Sequence, residues 1–215
     1  CTDDSVITTT FSVTPALAYP ALATVCESVV GTVSVATASV TNGVTGTGVY
    51  SGPGTNGAGQ FSPSAAGPGT HTITYTFTST GNCVGSITQT ITVNPKPVSS
   101  FTINSSICLG EQATITDNST VSAGTIASWQ WFFGDGNTAT YTNGNPFNYL
   151  YATAGTYQVK LVTTGSNGCV SDTARQTITV NAIPVAAFTM PTSVCMPNGT
   201  VSFTNTSTVA GGSSL

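Results

Sequence analysis

"SWQWFFGDGNTAT", residues 128–140, holds two tryptophans, two phenylalanines and a Gly-Asp-Gly turn. In an extended strand successive side chains point to opposite faces. Trp129, Trp131 and Phe133 then share one face, and Gln130 and Phe132 share the other. The first set is expected to fill a β-sandwich core, and residues 134–136 reverse the chain immediately afterwards. Flat rings also stack on sugars, but the alternation assigns both tryptophans to the core. Phe132 is left facing outward with no folding reason to be apolar. It is the candidate interface residue, against a neighbouring domain or subunit.

The same alternation runs through the rest of the chain. "HTITYTFTST" places Ile73, Tyr75 and Phe77 on one face, and "TYQVKLV" places Tyr157, Val159 and Leu161 inward with Gln158 and Lys160 outward. Gly, Pro, Asn and Ser punctuate these runs at short intervals, and no stretch carries a helical period. The expected fold is all-β, a tandem linear array of Ig-like β-sandwich domains.

An internal repeat organises the array. "QTITVNPKPVSSF" (89–101) and "QTITVNAIPVAAF" (176–188) agree at nine of thirteen positions, at an offset of 87 residues. "NPKP" and "NAIP" mark the junctions, where Pro stiffens a short connector. Four segments follow: 1–15, the terminal strand of a preceding domain; 16–95, an Ig-like domain; 96–182, a second sandwich; and 183–215, the start of a further one. The chain opens on Cys1 without an initiator Met and reads as a mature segment or fragment.

The cysteines keep the same period. Cys1 and Cys26, Cys83 and Cys108, and Cys169 and Cys195 lie 25, 25 and 26 residues apart, each pair straddling a junction. Six cysteines allow about fifteen pairings, and the repeat selects bridges within domains. Cys26 is expected to bond Cys83 and Cys108 to bond Cys169, with Cys1 and Cys195 paired outside these 215 residues. Closing a loop of about 60 residues stabilises a domain by roughly 4 kcal/mol in the chain-entropy model. Zinc is the rival reading, but the chain has one histidine, His71, and no knuckle spacing. Disulfides of this kind belong to an oxidising compartment.

Composition limits the function classes. Only 5% of residues are charged, with three Lys and Arg against seven Asp and Glu and a net charge of -4. No basic patch exists to neutralise phosphates, so nucleic acid and anionic membrane surfaces are not expected partners. Ser and Thr, nearly a third of the chain, wet the surface without charge. No apolar run reaches the length that spans a bilayer. The expected setting is extracellular or at the cell surface, with neighbouring repeats, copies of the same protein and surface glycans as partners.

Catalysis finds little material. His71 lies in a Thr-rich strand with no adjacent acid, and the acids Asp3, Asp4, Glu27, Glu111, Asp117, Asp135 and Asp172 are scattered over different domains. The chain is not expected to be an enzyme and needs no cofactor. Asp117 with Asn118, and Asp135 with Asn137, are the candidate oxygen ligands for calcium, with turn capping as the plainer role.

"WQWFFGDG", then Asn145-Pro146, then "YATAGTYQVKLVTTGSNGC" resembles the polycystic-kidney-disease (PKD) domain over residues 97–182. The resemblance implies an Ig-like sandwich of bacterial secreted and surface proteins. Two positions depart from the family pattern: Phe132 stands where a polar residue, often Asp, is usual, and Pro146 to Tyr151 lack the family's His. Residues 16–93 resemble the Ig-like repeats that accompany PKD domains in very large Bacteroidota surface adhesins and gliding-associated proteins. That likeness implies a structural or adhesive segment of a fibre or stalk; PKD domains also serve as accessory spacers or carbohydrate-binding modules of secreted hydrolases. Asp4-Ser5-Val6 and Asp172-Thr173-Ala174 resemble the O-glycosylation signal of the same group, making Ser5 and Thr173 candidate glycan sites.

Overall fold

The computed structural model describes residues 12–193 and 199–209. The chain divides into two compact units: residues 1–97 with loop 121–125 and the hairpin tip 164–171, and residues 98–120, 126–163 and 172–215.

The first unit carries β1 (Leu17–Ala18), β2 (Val25–Cys26), β3 (Val33–Ser34), β4 (Ser39–Val40), β5 (Gly46–Ser51), β6 (Gln60–Phe61), the one-turn helix α1 (Pro63–Ala66), β7 (Gly69–Ser79) and β8 (Val84–Asn94). Its main sheet runs β2-β8-β7-β5, with β2 parallel to β8 and the other pairs antiparallel. The short pairs β1-β4 and β3-β6 supply the opposing strands. Thr on β7 wets one face, while Ile73, Tyr75 and Phe77 are buried on the other with Phe61, Ile91 and Val93.

The second unit carries β9 (Phe101–Ile103), β10 (Ser106–Cys108), β11 (Gln112–Asp117), β12 (Ile126–Phe132), β13 (Thr138–Tyr141), β14 (Phe147–Leu150), β15 (Gly155–Gly165) and β16 (Ala174–Asn181). One sheet runs β10-β16-β15-β12-β13 and the other β14-β11-β9. Trp131, Phe133, Ile115, Leu161, Val159 and Ile178 are buried between them, as alternation requires. Rings chain through this core: Phe101 meets Trp131 edge-on at 4.9 Å, Trp131 meets Phe147 at 5.3 Å, and Phe133 stacks on Tyr149 at 3.7 Å.

A last antiparallel pair, β17 (Phe188–Thr189) with β18 (Thr204–Asn205), repeats the pairing of β9 with β11 at the start of the second unit. Val98 and Thr120 exchange backbone hydrogen bonds, and so do Val185 and Thr208. Ser119 Oγ donates to the Ser100 carbonyl as Ser207 Oγ donates to that of Ala187. The sequence repeat is thus a structural repeat.

The disulfides differ from the sequence expectation. Cys26 is bonded to Cys169, across 143 residues of sequence, and Cys83 and Cys108 are free thiols. Strand length explains why neither intradomain bridge forms. Cys26 stands in register with Asn94 at the far end of β8, whereas Cys83 precedes its first residue. Eleven residues at about 3.3 Å each put these two cysteines on the order of 35 Å apart, against a limit of about 7 Å for a bridge. Cys108 is likewise in register with Asn181, and Cys169 lies beyond the opposite end of β16. The Cys169 tip belongs to the first unit, where Asn167 donates to the Pro95 carbonyl at 3.0 Å and Cα169 lies 5.5 Å from Cα26. Cys1 and Cys195 lie outside the described residues, as does Ser5.

Candidate functional site

The chemistry-bearing surface of the second unit grows from the opening stretch. Trp129, Trp131 and Phe133 point into the core and are buried. Between them Gln130 is exposed and Phe132 half-buried on the outer face. The chain then turns through Gly134, Asp135 and Gly136, closed by the Phe133 amide donating to the Asn137 carbonyl at 3.1 Å. Gly134 is obligatory on two counts: its φ is +88°, and a Cβ there would stand 2.8 Å from the backbone oxygen of Gln158. This close approach lays the turn against β15.

The result is an open groove. Phe132 forms one wall, Lys160 and Gln158 the other, and Asn137 and Thr138 the end. Lys160 is paired across β15 and β16 with Arg175. Two of the three cationic residues in the sequence thus stand opposite one another on neighbouring strands, where like charges repel, and Lys160 is the one that lines the groove. Arg175 is partly held by donating Nη1 to the Thr173 carbonyl at 3.3 Å. An aromatic face beside a cation, two amides and a hydroxyl can stack on a ring while hydrogen bonding its polar edge.

The groove's end is fixed by a small polar network. Asp135 accepts from the Tyr149 hydroxyl at 2.7 Å, from the Asn137 side chain at 3.1 Å and from the Asn137 amide at 3.0 Å. Burial pushes its carboxyl up, but these hydrogen bonds outweigh it and hold the pKa below the ordinary value. Burial, and then the bond to Asp135, raise the Tyr149 phenol.

The candidate calcium ligands have protein partners. Asp117 accepts from the Trp129 indole at 2.7 Å and from both the amide and the hydroxyl of Ser119, while Asp135 is engaged as above. Among the described residues no group of three or more His, Cys, Asp or Glu is placed to hold a metal. His71 lies against Phe61 and donates Nε2 to the Gly67 carbonyl at 2.8 Å, closing the turn after α1. Thr173 is half-buried just ahead of β16. Asn148 is exposed and accepts from the Thr114 hydroxyl at 3.0 Å.

Sequence reading singled out Phe132 but not its companions. Alternation puts Gln158 and Lys160 outward, yet their meeting with Phe132 depends on strand order, which no local pattern encodes.

Comparison with known proteins bears on this unit. Residues 94–180 match the family model of the PKD domain. The chain is 38% identical over 96 residues to a microbial collagenase of Vibrio alginolyticus, covering 44% of this chain and 11% of the collagenase. The chain therefore spans about a tenth of that relative's length. Among solved structures, the PKD1 domain of the Vibrio cholerae metalloprotease PrtV is 34% identical, with 40% of this chain and 96% of that domain covered and a TM-score of 0.34. The PKD1 domain of Vibrio anguillarum Epp is 26% identical, with 40% and 95% covered and a TM-score of 0.35.

Proposed function

We propose that this chain is a non-catalytic segment of an extracellular protein, a disulfide-linked run of β-sandwich repeats that spaces other parts of that protein and presents a ligand-binding face. The observation that carries this reading is the Cys26–Cys169 bond, which joins positions 143 residues apart in successive sequence repeats. Such a bond persists in an oxidising compartment and resists extension of the chain. No helix of the described residues is long and apolar enough to cross a membrane.

Two settings fit. One is a long adhesive repeat protein forming a fibre or stalk at the cell surface; the internal repeats favour it. The other is an accessory module of a secreted hydrolase, and the 38% identity to a microbial collagenase favours that one. In either setting the Phe132 groove is the contact surface, with the ring stacking on a pyranose face of a surface glycan and Gln158, Asn137 and Lys160 meeting its hydroxyls. The mass and domain content of the intact secreted protein separate the settings: a catalytic domain in the same polypeptide selects the hydrolase, and further repeats alone select the fibre. Titration of the 215-residue chain with polysaccharides tests the groove, since binding unchanged by Phe132→Asp would remove it from the proposal.

Ser5 and Thr173 remain the proposed O-glycan sites. Native peptides containing them should carry a hexose-type mass increment absent from the peptide with Ser86, which has no preceding Asp. Unmodified peptides at both sites would end that proposal.

A further inference from the structure

The early cysteines occupy one position of the repeat and the late cysteines another. Cys26 and Cys108 each stand in a parallel strand pair, in register with the last Asn of the final strand, Asn94 and Asn181. The residue after each, Glu27 or Leu109, donates its amide to that same Asn carbonyl, at 2.9 and 2.8 Å. Cys83 and Cys169 each follow the tip of the last hairpin. The carbonyl of Cys83 accepts from Ser79 and that of Cys169 from Gly165, both at 2.9 Å, and Asn82 and Gly168 close the same turn within. Cys26 and Cys169 show what these two positions do when both are present: the early cysteine of one sequence repeat bonds the late cysteine of the next.

Applied to the free thiols, that rule is specific. Cys108 is an early cysteine and takes the late cysteine of a repeat that follows; Cys83 is a late cysteine and takes the early cysteine of a repeat that precedes. The antiparallel bridge of Val185 with Thr208, equivalent to that of Val98 with Thr120, shows that a following repeat has begun within the sequence. We propose that Cys83 and Cys108 are the outward-going halves of the same cross-repeat disulfide seen at Cys26–Cys169, so that every junction of the array is closed by one bond. The inference rests on the oxidised extracellular reading above. The partner in each case is a thiol at the equivalent position of another repeat, either further along the same polypeptide or on a second copy.

Each bond forms from two thiols. Two S–H bonds break and one S–S bond forms, and the two electrons and two protons pass to an oxidised thiol–disulfide exchange catalyst, whose own disulfide becomes a dithiol. Cys108 is exposed and Cys83 half-buried, so both are within reach of such a catalyst.

The test is peptide mapping of the full-length protein isolated from its source without reductant and alkylated before digestion. Expected are a Cys26–Cys169 linked peptide and two further linked peptides, in which Cys83 is joined to an early cysteine and Cys108 to a late cysteine of another repeat. Non-reducing electrophoresis assigns the source: a single band at the monomer mass means the same polypeptide, and a ladder collapsed by thiol means a second copy. Alkylated Cys83 or Cys108, or a bond between the two within one chain, beside an intact Cys26–Cys169, overturns this inference and leaves the proposed function standing. Alkylation of Cys26 and Cys169 as well overturns both.

Discussion

The indole nitrogen of Trp129 donates to Asp117 Oδ2 at 2.7 Å, joining β12 of one sheet to the end of β11 in the other. Asp117 thus acts as a polar rivet between layers that otherwise meet through apolar side chains. Its other oxygen holds Ser119 in the turn that follows.

Asp117→Ala should therefore leave a buried donor without a partner. The expected cost is roughly 2 kcal/mol, seen as a lower urea midpoint with unchanged slope. Trp129→Phe together with Asp117→Ala should cost less than the sum of the two single changes, because it removes both partners. Additive costs would show that the bond contributes nothing.

Core and outer face of the opening strand should separate under mutation. Trp131 is 1% exposed, and Trp131→Ala should cost about 3 to 5 kcal/mol or unfold the second unit. Phe132→Asp, which places there the residue type common in the PKD domains this stretch resembles, should cost on the order of 1 kcal/mol while weakening ligand binding or assembly. Thermal melts and a binding titration on the same two proteins check both halves of the expectation.

Gly134→Ala should destabilise by about 1 to 3 kcal/mol, since it forces a side chain into a positive-φ position and against the Gln158 backbone. Gly136→Ala has a comparable φ of +96° but nothing within 4 Å, so its cost should be smaller. Equal losses in chemical denaturation would mean that the contact with β15 has no weight.

The Cys26–Cys169 bond closes 143 residues and should stabilise the oxidised chain by roughly 5 kcal/mol in the chain-entropy model. Adding reductant, or Cys26→Ser, should lower the unfolding midpoint of the first unit. Cys83→Ser should leave that midpoint and its sensitivity to reductant unchanged. A Cys83→Ser protein that lost its response to reductant would contradict the pairing.

Alkaline pH should unfold the first unit in a defined window. Burial, and then Tyr50, raise Tyr19 to about 12 from an ordinary 10.0, and its hydroxyl donates to the Val35 carbonyl at 3.0 Å. The folded state keeps the proton longer than the unfolded one, so this stability is full below pH 10.0 and is lost as pH rises through about 12. Tyr19→Phe should flatten the decline of the thermal midpoint above pH 10.0, measured by circular dichroism against parent protein.

Alternation alone put Trp129, Trp131 and Phe133 inward and Phe132 outward, and Ile73, Tyr75 and Phe77 on one face, because a two-residue period is a property of the strand itself. The 87-residue offset likewise gave the repeat, since equivalent positions carry equivalent side chains. Cysteine pairing was not decided at that level. Spacing along the chain made Cys26 and Cys83 look like natural partners, but they sit at opposite ends of β8, and only the positions of strand ends in space select Cys169 instead. The groove has the same origin. Phe132 comes from β12 and Gln158 and Lys160 from β15, strands made neighbours by the order β15-β12, and hydrogen bonding between strands distant in sequence is decided by the burial of the whole core rather than by any local run of residues.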